Sequence, residues 1–199
     1  MLRNYLNKIA ESIDNDEDEA IQAELLRYAS EDRDAFIAEV RAIPPEEMPY
    51  LSDIYEALSF DPVPWSGFYL DEVDRLLEQA RRSQDPAEIL EPLDAFWLLS
   101  LDEDALQLRQ DLLGRFSENL DDENIFIRRK CVVLVGDFVG RKDFKVLNKL
   151  ELLVQSDPDW RVRYLAYQAL EDVHPKRAER VKLPLWIRLR ARYSNVDYE

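Results

Sequence analysis

An internal repeat in the C-terminal half of the chain constrains its fold more than any other feature. Residues 121–137, DDENIFIRRKCVVLVGD, follow the same plan as residues 156–172, SDPDWRVRYLAYQALED, at an offset of 35 residues. A repeat of this length forms a supersecondary unit that buries its apolar face only by stacking on its neighbours. The matched positions pair Asp122 with Asp157, Ile127 with Val162, Arg128 with Arg163, Cys131 with Ala166 and Val135 with Leu170.

The repeat also predicts the conformation of CVVLV, residues 131–135, which alone would pass for a buried β-strand. Its counterpart places apolar side chains at helical spacing on one face, after an Asp-Pro-Asp start signal at residues 157–159. The shared register makes CVVLV helical, because tertiary burial overrides the weak β preference of valine. The 199 residues include only four glycines, so hairpin signals are scarce and an all-α fold is predicted.

A recurring pattern surrounds the start of each copy. An Asp in the turn is followed by an apolar-Arg pair that opens a helix, then by a small residue three positions later and by Leu or Val beyond it. This pattern resembles the HEAT repeat, most clearly over residues 103–173. The resemblance implies an α-solenoid of antiparallel helix pairs, in which the turn Asp and the helix-opening Arg make polar contacts within and between repeats. It implies structural roles for Asp122, Arg128, Asp157 and Arg163, so that removing Arg163 is expected to cost about 3 kcal/mol of stability.

Residues 1–100 depart from this pattern. Glu91 stands where the repeat has arginine, and Pro92 interrupts a helix interior. We therefore expect a single helical-repeat domain over residues 1–199, with a divergent, acidic helical part in its first half. The predicted helices begin near residue 2 and then cover 15–29, 31–43, 46–59, 67–82, 86–100, 103–119, 124–138, 143–155 and 159–173.

The net charge of −16 is distributed unevenly along the chain. Residues 1–120 contain 10 basic and 29 acidic side chains, a net charge of −19, whereas residues 121–199 contain 16 and 13, a net charge of +3. A field of the first sign repels nucleic-acid phosphate and favours a basic protein partner. We expect no nucleic-acid partner, and the asymmetry permits head-to-tail self-association.

Composition and motifs exclude several kinds of site. Cys131 is the only cysteine and His174 the only histidine, so neither an intrachain disulfide nor a Cys/His zinc site can form. The acidic run at residues 14–19 imitates half of a calcium loop, but Glu19 replaces the required glycine and Leu25 the bidentate glutamate. Phosphate-loop and nucleophile-elbow motifs are absent, so no catalytic residue, cofactor or metal is predicted. Without a signal sequence or an 18-residue apolar run, a cytoplasmic protein with no membrane partner is expected.

The last repeat suggests a surface for a partner. Once the core face of residues 159–173 is assigned, four side chains point away from it, and Arg129 occupies the corresponding face one repeat earlier with Ile125 and Val132. Aromatic residues beside arginine are typical of binding hot spots, and the alternative is that they pack against the adjacent repeat. The four side chains are Trp160, Tyr164, Tyr167 and Gln168.

A second candidate surface lies in SFDPVPWSGF, residues 59–68, where Trp65 and Phe68 crowd around Gly67. These two aromatic side chains are either an exposed anchor for a partner or a plug between two helix pairs. The plug is the favoured interpretation, and the anchor is kept as the functional alternative.

The C-terminal residues 174–199 begin with a basic segment, HPKRAERVKLPLWIRLRARY, with seven Lys or Arg residues against a lone Glu179. We expect Pro184 to open a helix that caps the preceding repeat, because a solenoid needs its last apolar face covered. The alternating apolar and basic residues of LWIRLRARY also suit a strand, or a contact with anionic lipid or nucleic acid. In the capping interpretation, the buried side chains are Leu185, Trp186 and Leu189.

These observations favour a non-enzymatic binding or scaffold module that presents its inner helices to a basic protein partner. A sharper version is an immunity-type inhibitor that neutralises a basic, nucleic-acid-cleaving toxin by imitating the charge of its substrate. The alternative is a helical-repeat enzyme, since HEAT-like folds include alkylpurine DNA glycosylases and the lyases that attach bilin pigments. The glycosylases use a basic channel, unlike this acidic chain, and no motif supports the lyases.

Overall fold

The structure is a computed structural model and describes residues 2–11, 15–44, 50–102 and 104–194. Throughout these residues no β-strand occurs, which confirms the predicted all-α fold. The 3₁₀ helices among these residues are Val63–Trp65 and Glu91–Ser100, and the latter is named the 3₁₀ segment. The α-helices are α1 (Leu2–Glu11), α2 (Asn15–Glu31), α3 (Arg33–Arg41), α4 (Leu51–Leu58), α5 (Ser66–Arg82), α6 (Pro86–Leu90), α7 (Leu106–Glu118), α8 (Ile125–Phe138), α9 (Phe144–Ser156), α10 (Trp160–Val173), α11 (Pro175–Val181) and α12 (Leu185–Tyr193).

The starts of α8 and α10 show why the repeat folds as helix. Asn124 caps α8, because its side chain accepts a hydrogen bond from the Phe126 amide at 2.9 Å. Asp159 caps α10 in the same way through two amides of the first turn. Such caps satisfy amides that have no partner within the helix. The prediction that CVVLV is helical is confirmed, since α8 contains residues 131–135.

The helix predicted over residues 86–100 is wrong in one respect, because it is divided in two. α6 ends at Leu90, and the 3₁₀ segment follows it directly. Pro92 explains the division, since it has no amide hydrogen and its ring clashes with the carbonyl four residues earlier in an α-helix. In the 3₁₀ segment, side chains three residues apart lie one above the other.

Alternate helices of the C-terminal half lie side by side. α8 packs against the 3₁₀ segment and against α10, and α10 also packs against α12. The intervening helices pack against this row, with α7 on α8, α9 on α10, and α11 on both α9 and α10. The 3₁₀ segment, α8, α10 and α12 therefore form one row of neighbouring elements.

An aromatic cluster joins the N-terminal half to this row. Tyr55 of α4 and Tyr69 of α5 each pack edge-to-face on Phe96 of the 3₁₀ segment, with ring centroids 5.2 Å apart. Consistent with these contacts, α4 packs against the 3₁₀ segment. The buried apolar side chains form one core cluster that includes both Leu2 and Ile187.

A buried carboxylate lies beside the aromatic cluster. Glu72 is fully buried, accepts a hydrogen bond from the Tyr55 hydroxyl at 2.8 Å and forms ion pairs with Arg75 and Arg41. Burial and the Glu72 charge raise the pKa of Tyr55 well above its usual value. A buried charge with this many partners is satisfied, and we assign the network to the fold.

Candidate functional site

One surface of the row combines aromatic, aliphatic and charged side chains from two neighbouring elements. On α8, its members recur every three or four residues and therefore share a face. In the 3₁₀ segment, its two members are three residues apart and lie one above the other. We name this the Trp97 surface, and it consists of Asp94, Trp97, Phe126, Lys130, Val133 and Asp137.

A salt bridge shows that the two elements contribute to one surface. Lys130 Nζ lies 2.6 Å from Asp94 Oδ1, so these faces of α8 and the 3₁₀ segment adjoin. The Trp97 side chain is 47% exposed, and Phe126 and Val133 are also exposed. Large apolar side chains left open beside charged groups are typical of protein interaction surfaces.

Asp137 gives the Trp97 surface a group that titrates close to neutral pH. Burial and the neighbouring Asp94 carboxylate raise the pKa of Asp137 to about 6. The residue nevertheless keeps an exposed portion. A cationic group placed beside Asp137 would favour the ionised form and lower this pKa.

Of the four α10 residues predicted to face a partner, Trp160 does not. Its side chain is buried, and the guanidinium of Arg190 from α12 lies 4.7 Å from its ring centroid. The structure corrects this prediction, because α12 folds against α10 and covers the ring. Arg188 lies over Tyr167 in the same way, at 5.4 Å, and Tyr167 is half-buried. The other two are Tyr164, which is half-buried, and Gln168, which is exposed.

The residues predicted to face outward one repeat earlier are engaged within the fold. Arg129 makes two hydrogen bonds to the Asp159 carboxylate, at 3.1 and 3.2 Å, which tie α8 to the start of α10. Although burial opposes the shift, the Arg129 contacts lower the pKa of Asp159. Val132 is fully buried, contrary to the prediction, because the 3₁₀ segment and α10 both pack against α8. Ile125 is half-buried, and Val133, the neighbour of Val132, is exposed.

Trp65 and Phe68 are buried, so neither is available to a partner. Their rings pack edge-to-face at 6.0 Å, and Trp65 packs in the same manner on Phe36 at 5.6 Å. The anchor interpretation is corrected for both residues, and the plug between helices describes their position. The exposed aromatic side chain of this segment is Phe60, which was not among the predicted contact residues.

The helix-opening arginines have different partners. Arg128 is buried and makes two hydrogen bonds to Asp157, at 2.9 and 3.2 Å, and two to the carbonyls of residues 122–123, at 2.8 and 3.1 Å. It thereby links the start of α8 to the turn before α10. Arg163 donates instead to the backbone carbonyl of Val154 at 2.8 Å. Both sets of contacts are consistent with structural roles for Arg128 and Arg163. The loss of stability on replacing either arginine stays a prediction.

Asp122 contributes to an open cleft of about 860 Å³ between the end of α5 and the turn before α8. Its carboxylate accepts a hydrogen bond from Arg81 of α5 at 2.9 Å, and the same guanidinium also donates to Asn119. Arg81, which lines the cleft, therefore holds the N-terminal half against the repeats. The Asp122–Arg81 contact joins α5 to the turn before α8, and the repeat gives no signal for this pair.

The structure offers little for metal or thiol chemistry. Among the described residues, no group of His, Cys, Asp and Glu side chains is placed to hold a metal ion. The acidic run at residues 14–19, predicted not to bind calcium, lies outside the described side chains. Burial raises the pKa of Cys131 to about 12, so its thiol is a poor nucleophile in the folded protein.

The C-terminal helix begins after Pro184, as predicted, but it is rotated differently. Ile187 is its buried side chain, flanked by Arg188 and Arg190, which stack on aromatic rings of α10. The predicted burial of Leu185, Trp186 and Leu189 is therefore wrong, because these stacking contacts turn all three side chains outward.

Comparisons with known proteins add no relative. No family model matches the chain, and neither a curated protein nor a solved structure matches it. Within the part of the chain that the structure describes, no helix has both the length and the apolar character needed to cross a membrane. Function must therefore be inferred from the side chains themselves.

Proposed function

We propose that the protein is a non-enzymatic binding module whose Trp97 surface receives a basic segment of a protein partner. The observation that carries this proposal is the exposed Trp97 ring beside the Asp94 carboxylate, on a face that also exposes Phe126 and Val133. An open aromatic side chain supplies apolar area that is buried on binding. The carboxylates of Asp94 and Asp137 outnumber Lys130, which pairs with Asp94, so the surface favours a cationic neighbour. The partner would therefore bring an apolar anchor flanked by Lys or Arg.

The architecture that we propose for this module is a HEAT-like α-solenoid. It is supported by the row formed by the 3₁₀ segment, α8, α10 and α12, and by the packing of α7, α9 and α11 against that row. In an α-solenoid, stacked helices create an extended surface that is used for binding. The Trp97 surface is formed by the first two elements of this row, the 3₁₀ segment and α8, and the 3₁₀ segment belongs to the acidic residues 1–120.

Residues 1–120, here named the acidic half, attract a basic partner because their 29 carboxylates exceed their 10 cations. Several arginines of α3, α5 and α7 also form ion pairs with carboxylates of the same half. The net charge over residues 1–120 stays at −19. Such a field steers a basic protein towards the surface and speeds association. The pairs are Arg41 with Asp71, Arg75 with Glu72, Arg82 with Glu78 and Arg115 with Asp74.

A basic, nucleic-acid-cleaving toxin is the sharper form of the proposed partner, and the charge alone supports it. An acidic inhibitor of such a toxin would occupy a site that normally attracts phosphate. We propose no enzymatic role, because Asp137, whose pKa is raised, lies on an exposed helix face rather than inside a cleft that could enclose a substrate.

The test compares three immobilised forms of the full chain: wild type, Trp97→Ser and Leu152→Ser. Leu152 is exposed on α9, so its replacement removes a comparable apolar side chain outside the Trp97 surface. Proteins captured from an extract of the native host are identified by mass spectrometry, purified and titrated calorimetrically. We expect a basic protein that binds wild type and Leu152→Ser equally, and Trp97→Ser at least about tenfold more weakly, as for one aromatic hot spot.

A salt titration and a charge variant test the electrostatic part of the proposal separately from the aromatic part. The affinity should fall between about 50 and 500 mM salt, because exposed charges are screened over about 10 Å at 0.1 M. Asp94→Asn should weaken binding and reduce this salt dependence. An acidic partner, or an affinity that neither Trp97→Ser nor Asp94→Asn alters, would contradict the proposal.

A further inference from the structure

α12 turns most of its apolar surface to solvent. Leu185, Leu189 and Tyr193 recur every four residues, and Trp186 adjoins them, so the four side chains form a stripe along one face. Leu185 is 70% exposed and Tyr193 is 88% exposed, whereas Ile187 on the opposite face is fully buried. We name the exposed face the α12 stripe. An apolar stripe of this density on an exposed helix marks a contact surface.

The charges around the α12 stripe are basic. Arg192 lies on the same face, and Arg188 and Arg190 lie at its edges, all three exposed. Residues 174–194 carry seven Lys or Arg residues and one Glu, a net charge of +6. Whatever covers the stripe must therefore bring carboxylates as well as apolar side chains.

A surface of that chemistry is present in the acidic half of the same chain. Phe60, in the connection between α4 and α5, is 70% exposed, and Val63 nearby is also exposed. Asp61 lies between them in sequence, and Glu56 stands one turn before Phe60 at the end of α4, both exposed. We name these four residues the Phe60 surface. It combines apolar side chains with carboxylates, as the α12 stripe combines apolar side chains with arginines.

We infer that the α12 stripe of one molecule docks on the Phe60 surface of a second copy of this chain, head to tail. Charge complementarity decides the occupant. Two α12 stripes in contact would set arginines against arginines, whereas the Phe60 surface offers Glu56 and Asp61. The contact uses no residue of the Trp97 surface, so it goes beyond the proposed function and does not depend on it.

A head-to-tail contact has a recognisable signature in solution. Each added copy leaves one free α12 stripe and one free Phe60 surface, so assembly continues beyond a dimer. α12 has only nine residues, and contacts of this size are weak. We expect the average mass to rise continuously with concentration between about 10 μM and 1 mM, and to fall as salt is added.

Two charge-reversal variants of the full chain test the pairing by sedimentation equilibrium. One is Arg188→Glu with Arg192→Glu on the stripe, and the other is Glu56→Lys with Asp61→Lys on the Phe60 surface. Each variant alone opposes like charges and should associate at least about tenfold more weakly than wild type. An equimolar mixture of the two should assemble again, because each contact then joins opposite charges.

Further variants separate a lost contact from a lost fold. Trp186→Ser removes an exposed side chain of the stripe and should weaken assembly, while Leu152→Ser and Trp97→Ser should assemble like wild type. Circular dichroism checks that every variant keeps its helical content. A wild-type chain that stays monomeric at about 1 mM and low salt, a mixture that does not assemble, or charge reversals without effect would each overturn the inference. Binding of monomers to phosphatidylserine vesicles through Trp186, without self-association, would also overturn it and assign the stripe to lipid.

Discussion

Replacing Arg128 by alanine tests how the repeats are held together. The guanidinium makes two hydrogen bonds with Asp157 and two with the carbonyls of residues 122–123. The Asp157 side chain is only 3% exposed, so Arg128→Ala leaves a buried carboxylate without its cation. Removing one member of a buried ion pair costs about 3 to 5 kcal/mol.

Local geometry places the cost at the lower end of this range. Asp157 also accepts a hydrogen bond from the Asp159 amide at 2.8 Å, so part of its hydrogen-bonding capacity stays satisfied in the variant. The two carbonyls lie in a turn, where water can replace the lost guanidinium at small cost. We expect a loss of about 3 to 4 kcal/mol in the free energy of unfolding. For a chain of this length, that loss lowers Tm by about 6 to 16 °C.

Urea denaturation followed by circular dichroism measures the loss, and a double variant identifies its source. Arg128→Met combined with Asp157→Leu replaces the pair by apolar side chains, so it should be less destabilising than Arg128→Ala because no charge stays buried. A loss below about 1 kcal/mol for Arg128→Ala, or a double variant that is the least stable of the series, would refute the assignment of Arg128 to the fold.

Three further predictions use other groups. Arg163→Ala should cost about 1.5 kcal/mol in urea denaturation, at the low end for a charged hydrogen bond, because its partner is the neutral Val154 carbonyl. This is less than the roughly 3 kcal/mol expected from the HEAT resemblance, and a loss equal to that of Arg128→Ala would contradict it. The folded state raises the pKa of Asp137 from 3.8 to about 6, so its stabilising contribution is complete below about pH 4 and is lost as pH rises through 6. Asp137→Asn should therefore be more stable than wild type at about pH 7 in urea denaturation, with a difference that vanishes towards about pH 4; a difference that stays constant over this range would contradict the prediction. Burial raises the pKa of the Cys131 thiol to about 12, so this thiol should react with an aromatic disulfide reagent only after unfolding. Rapid labelling of the native protein would contradict this prediction.

The helical fold of CVVLV was predictable because the repeat supplied information that the local sequence lacks. Residues 131–135 favour a strand by propensity, but their counterpart at 166–170 follows a clear helix start and shows helical spacing. The two caps that begin α8 and α10, Asn124 and Asp159, occupy matched positions in the repeat. Propensity is a weak prior, and a matched register outweighs it.

The Trp97 surface could not be predicted from helical spacing, because the element that carries Trp97 is not an α-helix. Pro92 predicts an interruption of the helix, but it does not by itself predict the change from 3.6 to 3 residues per turn that follows it. That change aligns Glu91, Asp94 and Trp97 along one side of the 3₁₀ segment. A spacing of three after a proline was the signal that could have found this surface.

The two errors about the last helices have a common physical origin. Helical spacing over residues 159–173 predicts an open Trp160, and the larger apolar face of α12 predicts a buried Trp186. In the structure, the rotation that buries Ile187 lets Arg190 cover Trp160 and keeps both flanking guanidiniums at the surface. An arginine that stacks on an aromatic ring gains contact while its charge stays hydrated, whereas burying the α12 stripe would draw the charge of Arg192 towards the core. One rotation of α12 therefore has two results: Arg190 covers Trp160, and the α12 stripe is exposed for the contact that we propose with a second copy.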